Sequence, residues 1–476
     1  MIFDNYSFAE LLSNIVDNRG KTCPTEDNGF PLIATNCIKD DSLYPVFEKT
    51  RFISELTYNT WFRDHPLSGD IIFVCKGSPG RIAWVKEPVS FCIAQDMVAI
   101  RANEKIIDPK FLFSLLRSKH VVNKINNMHV GTLIPHFKKG DFKNLYLSIP
   151  RDLDIQKWIG EVYFNLSEKV EKNKEINQTF EQTAQALFKS WFIDFDPVKA
   201  KVEVLDAGGS EEDAILAAMS AISGKDTSSL AIFEYAHPEQ YAALKTTAEL
   251  FPTAMKDCKS NEIPEGWAIR DLTCLASLNT SSWTKKTAPE TVRYVDLANT
   301  KWGAVNTVEE YSFSNAPSRA RRILKPLDTI VGTVRPGNGS YAYIHKDGLT
   351  GSTGFAVLTP KAAIFSEYIY LCATSKENID RLTHLADGGA YPAVNADVVI
   401  STQCAIPIEQ TELKSLLTEF SSKVKAIFSY KSLKLEENTI LSELRDTLLP
   451  KFLSGEFELA TQRSHFLQKH VVNHNE

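Results

Sequence analysis

Few residues in this 476-residue chain stand at spacings that could do chemistry. A phosphate loop needs a leading glycine and a hydroxyl after its lysine, to cradle phosphates and meet magnesium. Ser223-Gly224-Lys225-Asp226 has neither and reads as a turn. Gly337-Asn338-Gly339 is too short for a dinucleotide fingerprint and follows no βαβ pattern. The Asn/Asp-Pro-Pro-aromatic tetrapeptide that holds a flipped adenine for amino-methylation does not occur. Asp70 with Lys76 lacks the second acid of a metal-dependent nuclease centre. His129 and His136 flank a loop with no further His or Cys at ligand spacing. The eight cysteines include no C-x-x-C pair, and runs such as Ile71-Ile72-Phe73-Val74-Cys75 read as strands with buried reduced thiols. We therefore expect no catalytic residue, no metal site and no cofactor on this chain.

Charge is what remains. The net charge of −6 argues against nucleic acid until its distribution is considered. Residues 202–265 hold twelve Asp/Glu and four Lys, so the remainder is mildly basic. Arg101 to Lys143 carries nine Lys/Arg against three acids, and Pro317 to Arg335 carries five against Asp328 alone. Arg, Lys and Asn can both hold phosphates and read base edges. The candidate DNA contacts are Lys76, Ser78, Arg81, Lys138 and Lys139, then Arg319, Arg321, Arg322, Arg335, Asn338 and Ser340. For any one of them an ordinary exposed charge is an equal alternative.

The elements that must position these residues occur twice. Gly131-Thr132-Leu133-Ile134-Pro135 matches Gly388-Gly389-Ala390-Tyr391-Pro392, and Ile149-Pro150 matches Ile406-Pro407 at the same offset. Upstream, Phe111-Leu112-Phe113 falls on Tyr368-Ile369-Tyr370, Ser118-Lys119 on Ser375-Lys376, and Ile125 on Leu382. Earlier still, Gly69 to Phe73 followed by Lys76-Gly77-Ser78-Pro79-Gly80 corresponds to Leu327 to Val331 followed by Arg335-Pro336-Gly337-Asn338-Gly339. Each reads as a strand, a basic glycine-containing turn and a second strand.

After each Ile-Pro the pattern turns helical. Ile155, Ile159, Val162, Leu166, Ile176, Phe180 and Leu187 keep a three-four spacing between about Asp152 and Phe195. Leu417, Phe420, Val424, Ile427, Asn438, Leu441 and Leu448 do so between about Glu409 and Leu449. Such long seams suggest a coiled coil, in which Asn173 and Asn438 would set the pairing register. The expected fold is α+β: two duplicated α/β modules separated by two long antiparallel helices, related by a pseudo-twofold axis. The acidic stretch from Leu205 to about Ser260 reads as a linker with one or two helices, one opened by the capping box Ser210-Glu211-Glu212-Asp213. No apolar run is long enough for a membrane span and no signal peptide is evident, so a cytoplasmic location is expected.

Three segments resemble a known family. Ala186-Leu187-Phe188-Lys189-Ser190-Trp191-Phe192-Ile193-Asp194-Phe195-Asp196-Pro197-Val198-Lys199 is similar to the end of the central conserved helix in specificity subunits of type I restriction-modification enzymes. Leu250-Phe251-Pro252 with Glu262-Ile263-Pro264-Glu265-Gly266-Trp267 resembles the entry to that family's second target recognition domain, and Leu448-Leu449-Pro450-Lys451-Phe452-Leu453-Ser454-Gly455 its distal conserved end. Gly389-Ala390-Tyr391 departs from the family's usual Thr or Ser after the glycine. The resemblance implies target recognition domains at 1–150 and 263–407, a central conserved helix at 151–200, the acidic linker at 201–262, a distal helix at 408–460 and a tail at 461–476. It implies a non-catalytic subunit that binds double-stranded DNA at a bipartite asymmetric target, two methyltransferase subunits and restriction subunits. S-adenosylmethionine, ATP and magnesium would belong to those partners. Phe188, Trp191, Phe192 and Phe195 are either an apolar anchor for a partner or packing within the chain's own helices. A related enzyme with a fused methyltransferase-nuclease partner, and a coiled-coil scaffold binding protein only, remain open as alternatives.

Overall fold

The run Ile71-Ile72-Phe73-Val74 is buried at every position, as a strand covered on both faces requires. In the computed structural model, which describes residues 1–18, 21–47, 50–128, 135–258, 261–387, 389 and 391–456, it is an inner strand of a four-stranded antiparallel sheet. The spatial order is Leu12–Asp17, Met97–Ala102, Ile71–Val74, Ile82–Trp84. Alternation divides its side chains. Ile71, Phe73, Val98 and Ile100 join the core with helices Pro109–Arg117 and Lys119–Met128. Ile72, Val74, Ala83 and Ala99 face Ile33 and Ile93 of a three-stranded sheet whose central strand, Phe30–Ile33, pairs parallel to Cys92–Ile93. A separate pair, Phe3–Ser7 with Tyr146–Pro150, brings the start of the module beside its end.

The chain forms two compact units, residues 1–175 with 436–476, and residues 176–435. The second repeats this topology, with a fourth strand, Ala320–Leu324, added to its other sheet and an extra short hairpin, Thr300–Lys301 with Ala304–Val305. Trp267–Asp271 pairs with Gln403–Pro407, and Ala276–Leu278, Phe355–Pro360, Thr329–Gly332 and Tyr341–Tyr343 take the four-stranded order. Thr291–Val295 pairs parallel to Leu349–Ser352 in the other sheet. Helices Ser366–Thr374 and Lys376–Leu385 follow at the expected positions, with Ser375 capping the second through the N–H of Asn378. The shared offset of apolar positions therefore marks a shared topology. The Gly-x-x-x-Pro elements lie partly outside the described residues: 131–134, 388 and 390.

One correspondence is corrected. Gly77 N–H donates to Pro135 O and Arg335 N–H to Pro392 O, so Arg335 is the counterpart of Gly77, and Lys76 corresponds to Val334. Val74 N–H bonds Arg81 O and Gly332 N–H bonds Ser340 O, which makes the second turn one residue longer. Register across a turn follows the cross-strand bonds and not a match of residue types.

The long helices span Leu153–Phe192 and Gln410–Ser454. Within the first unit Trp158 meets Phe452, and Asn173 Nδ2 donates to Asn438 Oδ1 at 2.9 Å. Within the second, Phe180 meets Tyr430 and Phe188 meets Phe420. In each unit the pairing is antiparallel. Of the anticipated seam of the first helix only Ile159 is fully buried, and the other six positions are half-buried beside it. The fully buried stripe is Tyr163, Val170, Asn177, Ala184 and Trp191, seven apart. The first helix stops earlier than expected: Phe195 takes a left-handed conformation (φ 57°), and a new helix, Asp196–Asp206, starts with Pro197 in its first turn. The second runs past Pro450, which removes one helical hydrogen bond. Burial of Leu449 and Phe452 in the first unit's core holds that last turn.

The acidic stretch is more than a linker with one or two helices. Glu211–Ser223, Thr227–Ala236 and Pro238–Glu249 are three helices that share a small core of Ala218, Met219, Leu230, Leu244 and Ala248. Ser210 and Asp213 form the expected capping box, and Gly224 closes that helix in a left-handed cap. No described helix is long and apolar enough to cross a membrane.

The repeat exposes one electrostatic asymmetry. Asp70 and Asp328 are both 1 % exposed, and each accepts the backbone N–H three residues before it. Arg101 grips Asp70 with two bonds of 2.8 and 2.9 Å. By strand register the position of Arg101 is Thr359 in the second unit, whose neutral hydroxyl cannot balance a charge. Burial pushes the Asp328 carboxyl above the ordinary carboxylate value. The native state thus keeps a proton that the unfolded chain has released, and stability falls as pH rises through the raised pKa. Asp328→Asn is expected to abolish that fall and leave the protein at least as stable at pH 7. Asp70→Asn, which strands Arg101, should cost about 2 kcal/mol. Urea unfolding of both variants between pH 4 and 8 checks the contrast.

Candidate nucleic-acid interface

In the first unit the basic turn is held against the segment after Pro135. Gly77 N–H reaches Pro135 O at 3.0 Å, Phe137 N–H reaches Cys75 O at 2.8 Å, and Lys76 bridges His136. Buried Phe137 and Phe142 anchor this segment beside Phe73. Lys76, Ser78, Lys138 and Lys139 are thereby brought together from positions 60 residues apart. Lys138 is exposed, Lys76 lies 3.9 Å from Asp96, Lys139 pairs with Asp17, and Arg81 Nε sits 3.2 Å from Asp40. Ion pairs this exposed are worth at most about 1 kcal/mol each, so a phosphate can replace the carboxylates.

In the second unit the predicted residues divide into two groups. Arg335 and Asn338 are exposed on the longer turn, and the Arg335 guanidinium lies 4.8 Å from the ring centre of Tyr391, itself 72 % exposed. Arg319, Arg321 and Arg322 belong to the segment leading into and along strand Ala320–Leu324. Backbone bonds link the two groups, since Thr353 N–H meets Arg319 O and Thr333 N–H meets Gly354 O. Arg319 is exposed, and Arg321 is half-buried against the Phe313 ring at 4.6 Å. Arg321 sits at a β-bulge between Ala320 and Arg322, so strand alternation does not place the two side chains, and the separation of Arg322 follows from its own contacts. Arg322 bonds Ser282 Oγ, its Nε is buried without a partner, and burial lowers its pKa. Ser340 is corrected to a structural role: 5 % exposed, it donates to Leu297 O and accepts from Lys301 Nζ at 3.1 Å.

The aromatic anchor is also corrected. Phe188, Trp191, Phe192 and Phe195 are 1–6 % exposed and lie in the core of the second unit. Phe192 packs on Tyr368 at 4.8 Å, Phe420 at 5.0 Å and Trp267 at 6.0 Å. Of the two readings of this motif, packing within the chain is the one the geometry supports.

Three residues near the second turn were not anticipated: Lys301, Trp302 and Tyr391 as a side chain. Lys301-Trp302-Gly303 is the only lysine-tryptophan-glycine in the chain, but nothing in local periodicity ties it to a turn almost 40 residues away.

The Haemophilus influenzae Type I restriction enzyme HindI specificity subunit is 31 % identical over 406 residues, which are 82 % of this chain and 86 % of that protein. The chain belongs to the specificity subunits of type I restriction enzymes. The family described as Type I restriction modification DNA specificity domain matches residues 15–182 of this specificity subunit. The MjaIX specificity subunit of Methanocaldococcus jannaschii is 27 % identical over 131 residues, 28 % of this chain and 29 % of that one. The crystal structure of a type I restriction-modification S subunit from M. genitalium aligns over 95 % of this chain and 96 % of its own, with 13 % identity and a TM-score of 0.46.

Proposed function

We propose that each unit of this specificity subunit reads one half of a bipartite, asymmetric DNA target. Methyltransferase subunits assembled on the chain then methylate adenines there, and restriction subunits use the same address for cleavage. The observation that carries this reading is one topology used twice with different turns: Lys76-Gly77-Ser78 with Lys138 and Lys139 in one unit, Arg335 to Asn338 with Tyr391 in the other. A shared topology keeps the turns in equivalent places, and unlike side chains read unlike bases. S-adenosylmethionine, ATP and magnesium are assigned to the partners. The location that follows is the cytoplasm, with the DNA.

Genome-wide methyl-adenine mapping of cells expressing the complete complex tests it, and the expected result is one split motif with two different halves. Affinity of the complex for that motif should fall steeply with salt. Lys138→Ala and Arg335→Ala should each reduce the slope of log K against log salt by about one if they hold phosphates. Salt-independent or negligible DNA binding in the presence of the methyltransferase subunits would overturn the reading.

A further inference from the structure

Trp302 stands at the tip of a short hairpin, Thr300–Lys301 paired with Ala304–Val305, and is 54 % exposed. A large aromatic left open to water is usually held down by nothing, but this one is built in. Its backbone is left-handed (φ 47°), and its N–H donates to Gly339 O at 2.7 Å. The indole lies directly on Gly339, where an added Cβ would come within 2.6 to 2.7 Å of three ring carbons. Only glycine permits that approach. The edge of Tyr341 supports the ring at 6.0 Å, and Lys301 Nζ bonds Asn338 O and Ser340 Oγ.

The hairpin is fixed from below as well. Gly303 (φ +82°) approaches the helix pair so closely that a Cβ there would meet Lys431 Nζ and Tyr370 OH at 2.5 Å and Glu181 Oε2 at 3.0 Å. The same connection in the first unit, between Phe30–Ile33 and Arg51–Ile53, is also tied to a long helix, with Leu43 N–H donating to Glu171 Oε1 at 3.1 Å. There, however, the aromatic Tyr44 is itself consumed by the tie, its hydroxyl donating to Glu168 Oε1 at 2.9 Å under the Lys86 ammonium. In the second unit the tie is made by the glycine and the adjacent aromatic is left open.

Trp302 therefore flanks the same turn that presents Arg335 and Asn338, and the lysine beside it reinforces that turn. A rigid, flat, apolar group beside basic and amide side chains suits the sugar and base edges of DNA, which offer apolar surface between phosphates. Preorganisation matters here, because a side chain already fixed loses little entropy on binding. We infer that Trp302 is a specificity-determining residue of the second unit, packing its indole against DNA in the half-site read by the Arg335–Asn338 turn. This rests on the proposed division of the target between the two units.

The test uses the full complex with its methyltransferase subunits, comparing wild type, Trp302→Ala, Trp302→Phe and Arg335→Ala by methyl-adenine mapping and by competition between the mapped duplex and a scrambled one. Trp302→Ala should relax the same half-site that Arg335→Ala relaxes, leave the other half intact, and weaken preference for the mapped duplex roughly tenfold, the scale of one aromatic contact with a base. Trp302→Phe should keep most of the preference. An unchanged thermal midpoint and unchanged assembly with the methyltransferase subunits would show that fold and partner binding are intact. If Trp302→Ala leaves both half-sites and the preference unaltered, or lowers only methyltransferase assembly, the inference is overturned. If the wild-type complex itself yields no split motif, it is the division of the target that fails.

Discussion

Phe192→Ala is expected to destabilise the second unit by about 3–5 kcal/mol, the range for removing a fully buried phenylalanine from a close-packed core. The ring is 1 % exposed and lies edge-to-face with Tyr368 and Phe420, beside Trp267. Those neighbours come from a helix of the recognition module, the second long helix and the strand that opens the module, so little can collapse into the space. A surface anchor would behave differently: truncation would lower partner affinity and leave stability within about 0.5 kcal/mol of wild type. Urea unfolding monitored by tryptophan fluorescence separates the two, and a wild-type midpoint with impaired methyltransferase assembly would return the motif to the interface.

The second large effect concerns a charge pair in the same unit. Lys431 is 3 % exposed and forms an ion pair with Glu181 of the facing long helix; Glu181 also accepts the Tyr370 hydroxyl at 2.8 Å. Lys431→Met removes the cation and leaves a partly buried carboxylate without it, which should cost up to about 3 kcal/mol. Pairing it with Glu181→Gln, which removes the stranded charge and can still accept from Tyr370, should recover most of the loss. A double-mutant cycle in urea gives the coupling directly. Additive losses would show that the ion pair contributes nothing of its own. Because Gly303 touches all three groups, the loss should also loosen the hairpin that carries Trp302.

Much of the architecture was legible because it is written in local period. Apolar residues recurring every three or four positions marked both long helices, and a constant offset between buried positions marked the repeat that strand pairing confirms. Even the contact between Asn173 and Asn438 was readable, since a polar residue on an apolar seam needs a partner of its own kind. The candidate interface was legible in part. Residue type alone nominated Lys76, Lys138 and Arg335 as candidates, and none of them is fully buried, but Ser340 matched its expected turn in type and proved to be inside the fold. Hydroxyls serve buried networks as readily as they serve ligands.

By itself, then, the amino-acid sequence determined the duplication, the paired helices, the want of familiar catalytic motifs and the family. The tertiary structure decided which apolar stripe is core, which basic side chains share a surface, and the register of the two turns. Three helices in the acidic segment, the continuation through Pro450 and the burial of the Phe188-to-Phe195 aromatics belong to that second group. So does the seating of Trp302 on Gly339. The physical reason is common to all of them. Local pattern states that a face must be covered or a backbone bond made, and only contacts between residues far apart in the chain settle what covers it.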